Sequence, residues 1–179
     1  PIFPVAYSIG VSGVLTMLVN IDSLPALTTY AMRMASGLDS FALLAIPFFI
    51  LAGNIMNSGG IALRLIDFAK VLVGRLPGGL AGVNVVANML FGAISGSAAA
   101  AASAIGSIMT PEMKKAGYDP NFSAAVNISS ATTGMTIPPS NVLIVYSLAS
   151  GGVSVSALFM AGYLPGILTG VAIMIVAAM

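Results

Sequence analysis

From Leu80 to Met109 the chain runs for about 30 residues without an Asp, Glu, Lys or Arg, and its middle reads Gly92-Ala-Ile-Ser-Gly-Ser-Ala98. As one helix this stretch would extend about 45 Å at 1.5 Å per residue, well beyond the ~30 Å hydrocarbon core of a bilayer. As two half-helices meeting at Ser95-Gly96-Ser97, each is only ~22 Å long and cannot cross alone. Charge placement chooses between the two. Arg64, Lys70 and Arg75 precede the stretch, and Lys114 and Lys115 follow it. Basic residues favour the cytoplasmic face, and a hairpin returns both clusters to one side, whereas a single crossing separates them. The expectation is a re-entrant helical hairpin over residues 80–109.

A second interruption follows at Gly134-Met-Thr-Ile-Pro-Pro-Ser-Asn141. Two adjacent prolines remove two backbone donors and push Ile137 away from helical geometry, so residues 122–148 are expected to form a broken helix. Irregular backbone at membrane depth is tolerated only where protein buries it or where it lines a cavity. Two such breaks in one chain point to a transporter site.

Composition supports the membrane setting. Of 179 residues, 58% are hydrophobic and 6% charged, against roughly 25% charged in soluble domains. The expected class is an all-α integral membrane protein. A net charge of +1 with scattered basic residues gives no nucleic-acid footprint. The chain has no cysteine and no histidine, which removes thiolate chemistry and the usual general base and metal ligand. It begins at Pro1 with no charged n-region, so no signal peptide is read, and it ends within an apolar run. A piece of something longer is expected.

The remaining segments are a transmembrane helix over 3–19, an interfacial segment over 26–37, a second span over 40–56 kinked at Pro47, an amphipathic interfacial helix over 61–76, and a final span over 157–179. The series Gly162, Gly166 and Gly170 reads as a helix-packing face.

At the hairpin tip, the first half-helix ends with unpaired carbonyls and the second starts with unpaired amide N–H groups. Carbonyls suit a hard cation such as Na⁺, and the amide end suits an anion. Gly92 and Gly96 also form a GxxxG pair, the pattern of a simple helix contact. The second interruption repeats the logic of the first, with Thr132, Thr133, Thr136, Ser140 and Asn141 around the prolines. No charged residue lies inside a span, which argues against proton coupling through side chains. Asn84 and Asn88, at helical spacing before the tip, suit bracing of the site and plain packing equally.

Several separated motifs resemble one family. They are Phe91-Gly-Ala-Ile-Ser-Gly-Ser-Ala98, Ala104-Ile-Gly-Ser-Ile108, Pro111-Glu-Met-Lys-Lys115-Ala-Gly-Tyr-Asp-Pro120, Gly37-Leu-Asp-Ser-Phe41, Ala45-Ile-Pro-Phe-Phe-Ile-Leu-Ala-Gly53 and Ile137-Pro-Pro-Ser140. In order and spacing the chain is similar to the large (DctM-like) membrane subunit of tripartite ATP-independent periplasmic (TRAP) transporters. The resemblance implies a bacterial inner-membrane importer of organic acids such as C4-dicarboxylates or sialic acid, driven by sodium. It also implies a periplasmic binding protein (DctP-like) and a small membrane subunit (DctQ-like) as partners. The implied fold is an elevator-type carrier of inverted repeats, of which this chain would be one half, the second sodium site lying outside it. Many members carry an Asp where this chain has Ala101.

The expected Na⁺ ligands are Ser95, Gly96, Ser97, Gly134, Thr136 and Pro138, largely through carbonyl oxygens. The expected contacts to a substrate carboxylate are Ser97, Ser140 and Asn141. No catalytic residue and no cofactor beyond the coupling ion are expected. Two other classes stand beside this one. An intramembrane hydrolase using Ser95 or Ser97 would need a base from outside the chain. A channel or structural subunit would need a continuous pore or none.

Overall fold

The computed structural model describes residues 4–39 and 41–179, and these form ten α-helices with no strand among the described residues. Phe3 and Ser40, the expected first residues of two spans, lie outside them. The chain divides into two compact units, Pro1–Leu43 and Leu44–Met179.

In the first unit, α1 (Val5–Asn20) and α2 (Ser23–Leu38) pack together. The contact is made by Gly10, whose carbonyl accepts the Tyr30 hydroxyl at 3.3 Å, and by Gly13, against which the Tyr30 ring lies. Ile21 and Asp22 separate the two helices, and α2 starts three residues before the expected 26, with Pro25 in its first turn. Proline in a first turn removes an N–H that has no helical partner anyway.

The second unit holds the interruptions. Helix α3 (Phe41–Ser58) runs on through Pro47. Next come α4 (Ile61–Val73), α5 (Gly79–Ser95), α6 (Ala98–Lys115), α7 (Pro120–Ala131), the one-turn α8 (Thr133–Thr136), α9 (Asn141–Ala149) and α10 (Val155–Ala178). Helix α5 is the hub, packed against α4, α6, α7, α8 and α10. It is apolar nearly all round, with Val83, Val85, Ala87 and Phe91 buried, the pattern of a helix with neighbours on every side. Alanine and glycine recur along it, and small residues let backbones approach closely where lipid tails offer no hydrophobic driving force.

Helices α5 and α6 fold back on each other. Asn84, near the start of α5, donates to the Met113 sulfur near the end of α6 at 3.6 Å. At the open end the Tyr118 hydroxyl donates to the Gly78 carbonyl at 3.1 Å. The two helices thus form a hairpin, and its second arm does not stop at Met109. It continues through Pro111 to Lys115, since one missing N–H is offset by the packing of Met109 and Met113, both fully buried. On α4 the stripe Ala62, Ile66 and Ala69 joins the core, and Lys70 pairs with Glu112 of α6 at 2.9 Å. Leu63, Phe68, Val71 and Leu72 stay exposed, so α4 is apolar on two faces, one of them covered by protein.

One described helix, α10, is long and apolar enough to cross a membrane by itself. Its Gly162, Gly166 and Gly170 are its buried residues, and this face receives Thr136, Ile137 and Met89 respectively. The glycine series is the packing face that its spacing predicts.

Candidate functional site

The hairpin turns at Gly96, whose φ of +63° is open to glycine at little cost. Ser97 then adopts extended geometry and caps α6, its hydroxyl oxygen accepting from Ala100 N at 3.3 Å. Its carbonyl accepts from Ala101 N at 3.0 Å. Ala98 and Ala99 therefore present the first-turn amides that no cap serves. Ser95 is buried, and its hydroxyl lies 3.4 Å from both the nitrogen and the carbonyl oxygen of Ser97.

The second interruption is built alike. Ile137 leaves helical geometry, Pro138 and Pro139 follow, and extended Ser140 caps α9 by accepting from Leu143 N at 3.4 Å. Pro138 and Pro139 carry no N–H, so Gly134 and Met135 have no helical donors four residues on. The Met135 carbonyl takes the Ser140 hydroxyl instead. The Gly134 carbonyl gets no such replacement from Ile137, whose N–H goes to Thr133 at 2.9 Å.

The two interruptions meet. A Cβ placed on Gly96 would lie 3.0 Å from the Pro139 carbonyl oxygen, 3.3 Å from Asn141 N and 3.4 Å from Asn141 Cγ. One turn earlier, the backbones of Gly92 and Gly134 touch with no room for a side chain on either. Gly53 of α3 abuts Ser95, a Cβ there lying 3.2 Å from the serine's own. Two carbonyl-rich breaks and two amide-bearing helix starts thus converge on one spot. There the Asn141 side-chain oxygen is buried with no hydrogen-bond partner.

The predicted residues fall as follows. Ser95, Gly96 and Ser97 form the tip, and Asn141 faces it. Gly134 lies one turn below, in contact with Gly92. Thr136 and Pro138 belong to the same break, but the Thr136 carbonyl is turned toward Gly162 of α10, and Pro138 Cδ lies beside that glycine. Ser140 is fully buried with its hydroxyl engaged as donor and acceptor. Ala101 is buried in the core beside the tip. Sequence reasoning missed the Pro139 carbonyl, which faces Gly96, and Gly53.

It also missed half of a buried amide cluster. Asn88 Nδ2 lies 2.7 Å from Asn84 Oδ1, 2.8 Å from Ser130 Oγ and 3.0 Å from Asn127 Oδ1, three acceptors that share its two N–H donors. Asn127 in turn donates to the Ala102 carbonyl at 2.9 Å. The available signal was helical spacing, because Asn127, Ser130 and Gly134 stand three and four apart and so share one helix face, as Asn84, Asn88 and Gly92 do at four and four.

Among the described residues, an all-helical fold with this much exposed apolar surface, in which the tip of a helical hairpin packs against the break of a second helix, fits the class of helical membrane proteins. The family model for the DctM component of the tripartite ATP-independent periplasmic transporters matches residues 2–179, and the chain belongs to that family, one of permeases rather than enzymes. It is 60% identical over 176 residues to the uncharacterized protein YgiK of Salmonella typhimurium, covering 98% of this chain and 40% of that protein. It is 45% identical over 170 residues to the C4-dicarboxylate TRAP transporter large permease protein DctM of Pseudomonas aeruginosa, covering 94% and 39%. To the sialic acid TRAP transporter large permease protein SiaM of Vibrio cholerae it is 43% identical over 145 residues, covering 81% and 34%. The chain therefore spans about two fifths of the length of the curated relatives it matches.

Proposed function

We propose that this chain is part of the large membrane subunit of a secondary active transporter, that it binds Na⁺ where the two interruptions meet, and that it helps hold the carboxylate of an organic anion beside the ion. The observation that carries the reading is the contact of Gly96 with the Pro139 carbonyl and Asn141. A hard cation needs oxygen ligands, and the Gly134 carbonyl, left without a helical donor, and the unpartnered Asn141 Oδ1 are oxygens of that kind. The N-terminal amides of α6 and α9 carry positive partial charge and suit the carboxylate. In this reading Ser97 and Asn141 meet that carboxylate, while the buried Ser140 shapes the start of α9.

The membrane arrangement follows the same reading. The α5–α6 hairpin enters and leaves the bilayer on one face, and α7–α9 cross it as a broken span. The pair moves as part of an elevator-type carrier whose second repeat lies beyond this chain. The cargo named in the relatives DctM and SiaM, C4-dicarboxylate and sialic acid, supports an organic anion, and the tripartite family name supports an assembly. This reading fills that assembly with a small membrane subunit and a periplasmic binding protein and sets it in the bacterial inner membrane. A hydrolase is disfavoured because a serine nucleophile needs a base, and the Ser95 hydroxyl faces only the main chain of Ser97.

Uptake of radiolabelled succinate and sialic acid by the full transporter in proteoliposomes, titrated with sodium against choline, tests the reading. Saturable uptake that rises with sodium is expected, with weaker sodium dependence in Ser97→Ala and Asn141→Ala. Uptake indifferent to sodium would sink the coupling, and unchanged sodium affinity in both variants would sink the site.

A further inference from the structure

Three contacts stack along the line where α5 crosses α7 and α8. The uppermost joins Gly96 to Pro139 and Asn141, and the middle one joins Gly92 to Gly134. The lowest joins Asn88 to Ser130 and Asn127. Along α5 and its cap, Asn88, Gly92 and Gly96 are four apart, about one helical turn of 5.4 Å each. The middle contact is glycine backbone on glycine backbone. It lets the helices approach closely but has no side chains to fix their register. The lowest contact is directional, made by one amide whose residue is wholly buried.

The orientation of that amide is itself determined. The Ala102 carbonyl can only accept, so the Asn127 amide nitrogen must face it, at 2.9 Å. That turns Asn127 Oδ1 toward α5, and Asn88 must answer with its own nitrogen, at 3.0 Å. The Ser130 hydroxyl donates to the Asn127 carbonyl at 3.2 Å, leaving its lone pairs to Asn88 at 2.8 Å. Asn88 Oδ1 is left buried without a partner. Asn88 is thus committed as a donor across the helix crossing, tied through Asn127 to the second arm of the hairpin.

We propose that Asn88 is a positioning residue for the ion site. Through Ser130 and Asn127 it sets the register of the hairpin against the broken helix, and so the gap between Gly96 and the Pro139–Asn141 segment two turns away. The proposal rests on the sodium-binding reading above. The Asn88 side chain hydrogen-bonds none of the residues assigned to the ion. Its backbone carbonyl lies beside Gly134, a contact that a side-chain substitution leaves in place, so the effect of the amide passes through the crossing.

The test uses purified full-length permease and two salts, sodium chloride against choline chloride, with no organic substrate. Binding to the folded state raises the melting temperature with ligand concentration, so a sodium titration of melting gives a half-point. Asn88→Ala is expected to raise that half-point about tenfold, the usual scale for losing an outer-shell partner of an ion site. Ser130→Ala, which leaves Asn127 as acceptor, shifts it less in the same direction. Asn84→Ala removes a buried amide from the same cluster but no tie between α5 and α7. It is expected to lower melting in both salts while leaving the half-point unmoved. If Asn88→Ala and Asn84→Ala move the half-point equally, or Asn88→Ala leaves it in place, Asn88 is merely structural and the proposal fails. If Asn88→Ala does not fold, Ser130→Ala decides, and an unmoved half-point overturns the idea. A wild-type protein whose melting ignores sodium would instead overturn the ion site itself, and this inference with it.

Discussion

The two breaks in this chain start the next helix in the same way and end the previous one in opposite ways. After both, an extended serine caps the new helix by accepting an amide three residues on, at 3.3 Å for Ser97 and 3.4 Å for Ser140. Before the first, α5 ends on a glycine of positive φ that keeps its helical bond, Gly96 N to the Gly92 carbonyl at 2.7 Å. Before the second, prolines delete the donors that the Gly134 and Met135 carbonyls would have used. One break changes the direction of the chain through a glycine that keeps its own bond, while the Ala93, Ile94 and Ser95 carbonyls that follow have lost their helical donors. The other deletes donors outright, and the Gly134 carbonyl goes without one. Freedom and deprivation thus divide the labour, with glycine bringing the backbones together and proline freeing further oxygens beside them.

The largest effect should come from the point where both breaks lean on each other. Gly92→Ala and Gly134→Ala each drive a methyl into backbone, which cannot move aside as a side chain can. Each is expected to destabilise by about 3 kcal/mol, the upper end for overpacking, read as a drop in melting temperature and in folded yield. Next comes Gly96→Ala, where the left-handed conformation costs roughly 1–2 kcal/mol and the Pro139 oxygen crowds the new methyl. Stability should fall by about that amount.

Pro138→Ala sharpens the contrast. It restores an N–H that can satisfy the Gly134 carbonyl, so the change in stability should be under about 1 kcal/mol while sodium half-saturation of uptake rises. If Gly96→Ala and Pro138→Ala instead alter stability and sodium dependence in the same proportion, the division of labour is wrong. The smallest effect belongs to Lys70→Ala. Its ion pair with Glu112 is 36% and 39% exposed, and such pairs contribute about 0–1 kcal/mol, which a melting curve in 0.5 M salt should erase.

The position of each break was legible because glycine and proline act locally. Gly96 and Pro138–Pro139 interrupt whatever surrounds them, and the glycine series of α10 announces a close neighbour by its spacing alone. Pro111 shows the limit of that logic. The same residue type that ends α8 is absorbed inside α6, because Met109 and Met113 anchor the helix on either side. Packing that comes from elsewhere in the chain carries no local signature. The pairing of breaks was beyond reach for a related reason. Gly92 and Gly134 lie 42 residues apart, as do Asn88 and Ser130, and no periodicity within either segment names its partner. For the same reason Pro139 went unnoticed behind Pro138, since only the fold decides which of two adjacent carbonyls faces the hairpin.

The bare flank of α10 has a consequence for where the broken segment can live. Thr136 and Ile137 belong to peptide groups released from regular bonding, and Gly162 and Gly166 let a neighbouring helix press directly over them. In hydrocarbon, where water cannot repair a bare peptide, such a cover is a condition of residence. Methyl groups along that flank would act as spacers, prising the two apart and letting acyl chains reach unshielded amides. The smoothness of the last helix is what makes a fractured neighbour tolerable inside a membrane.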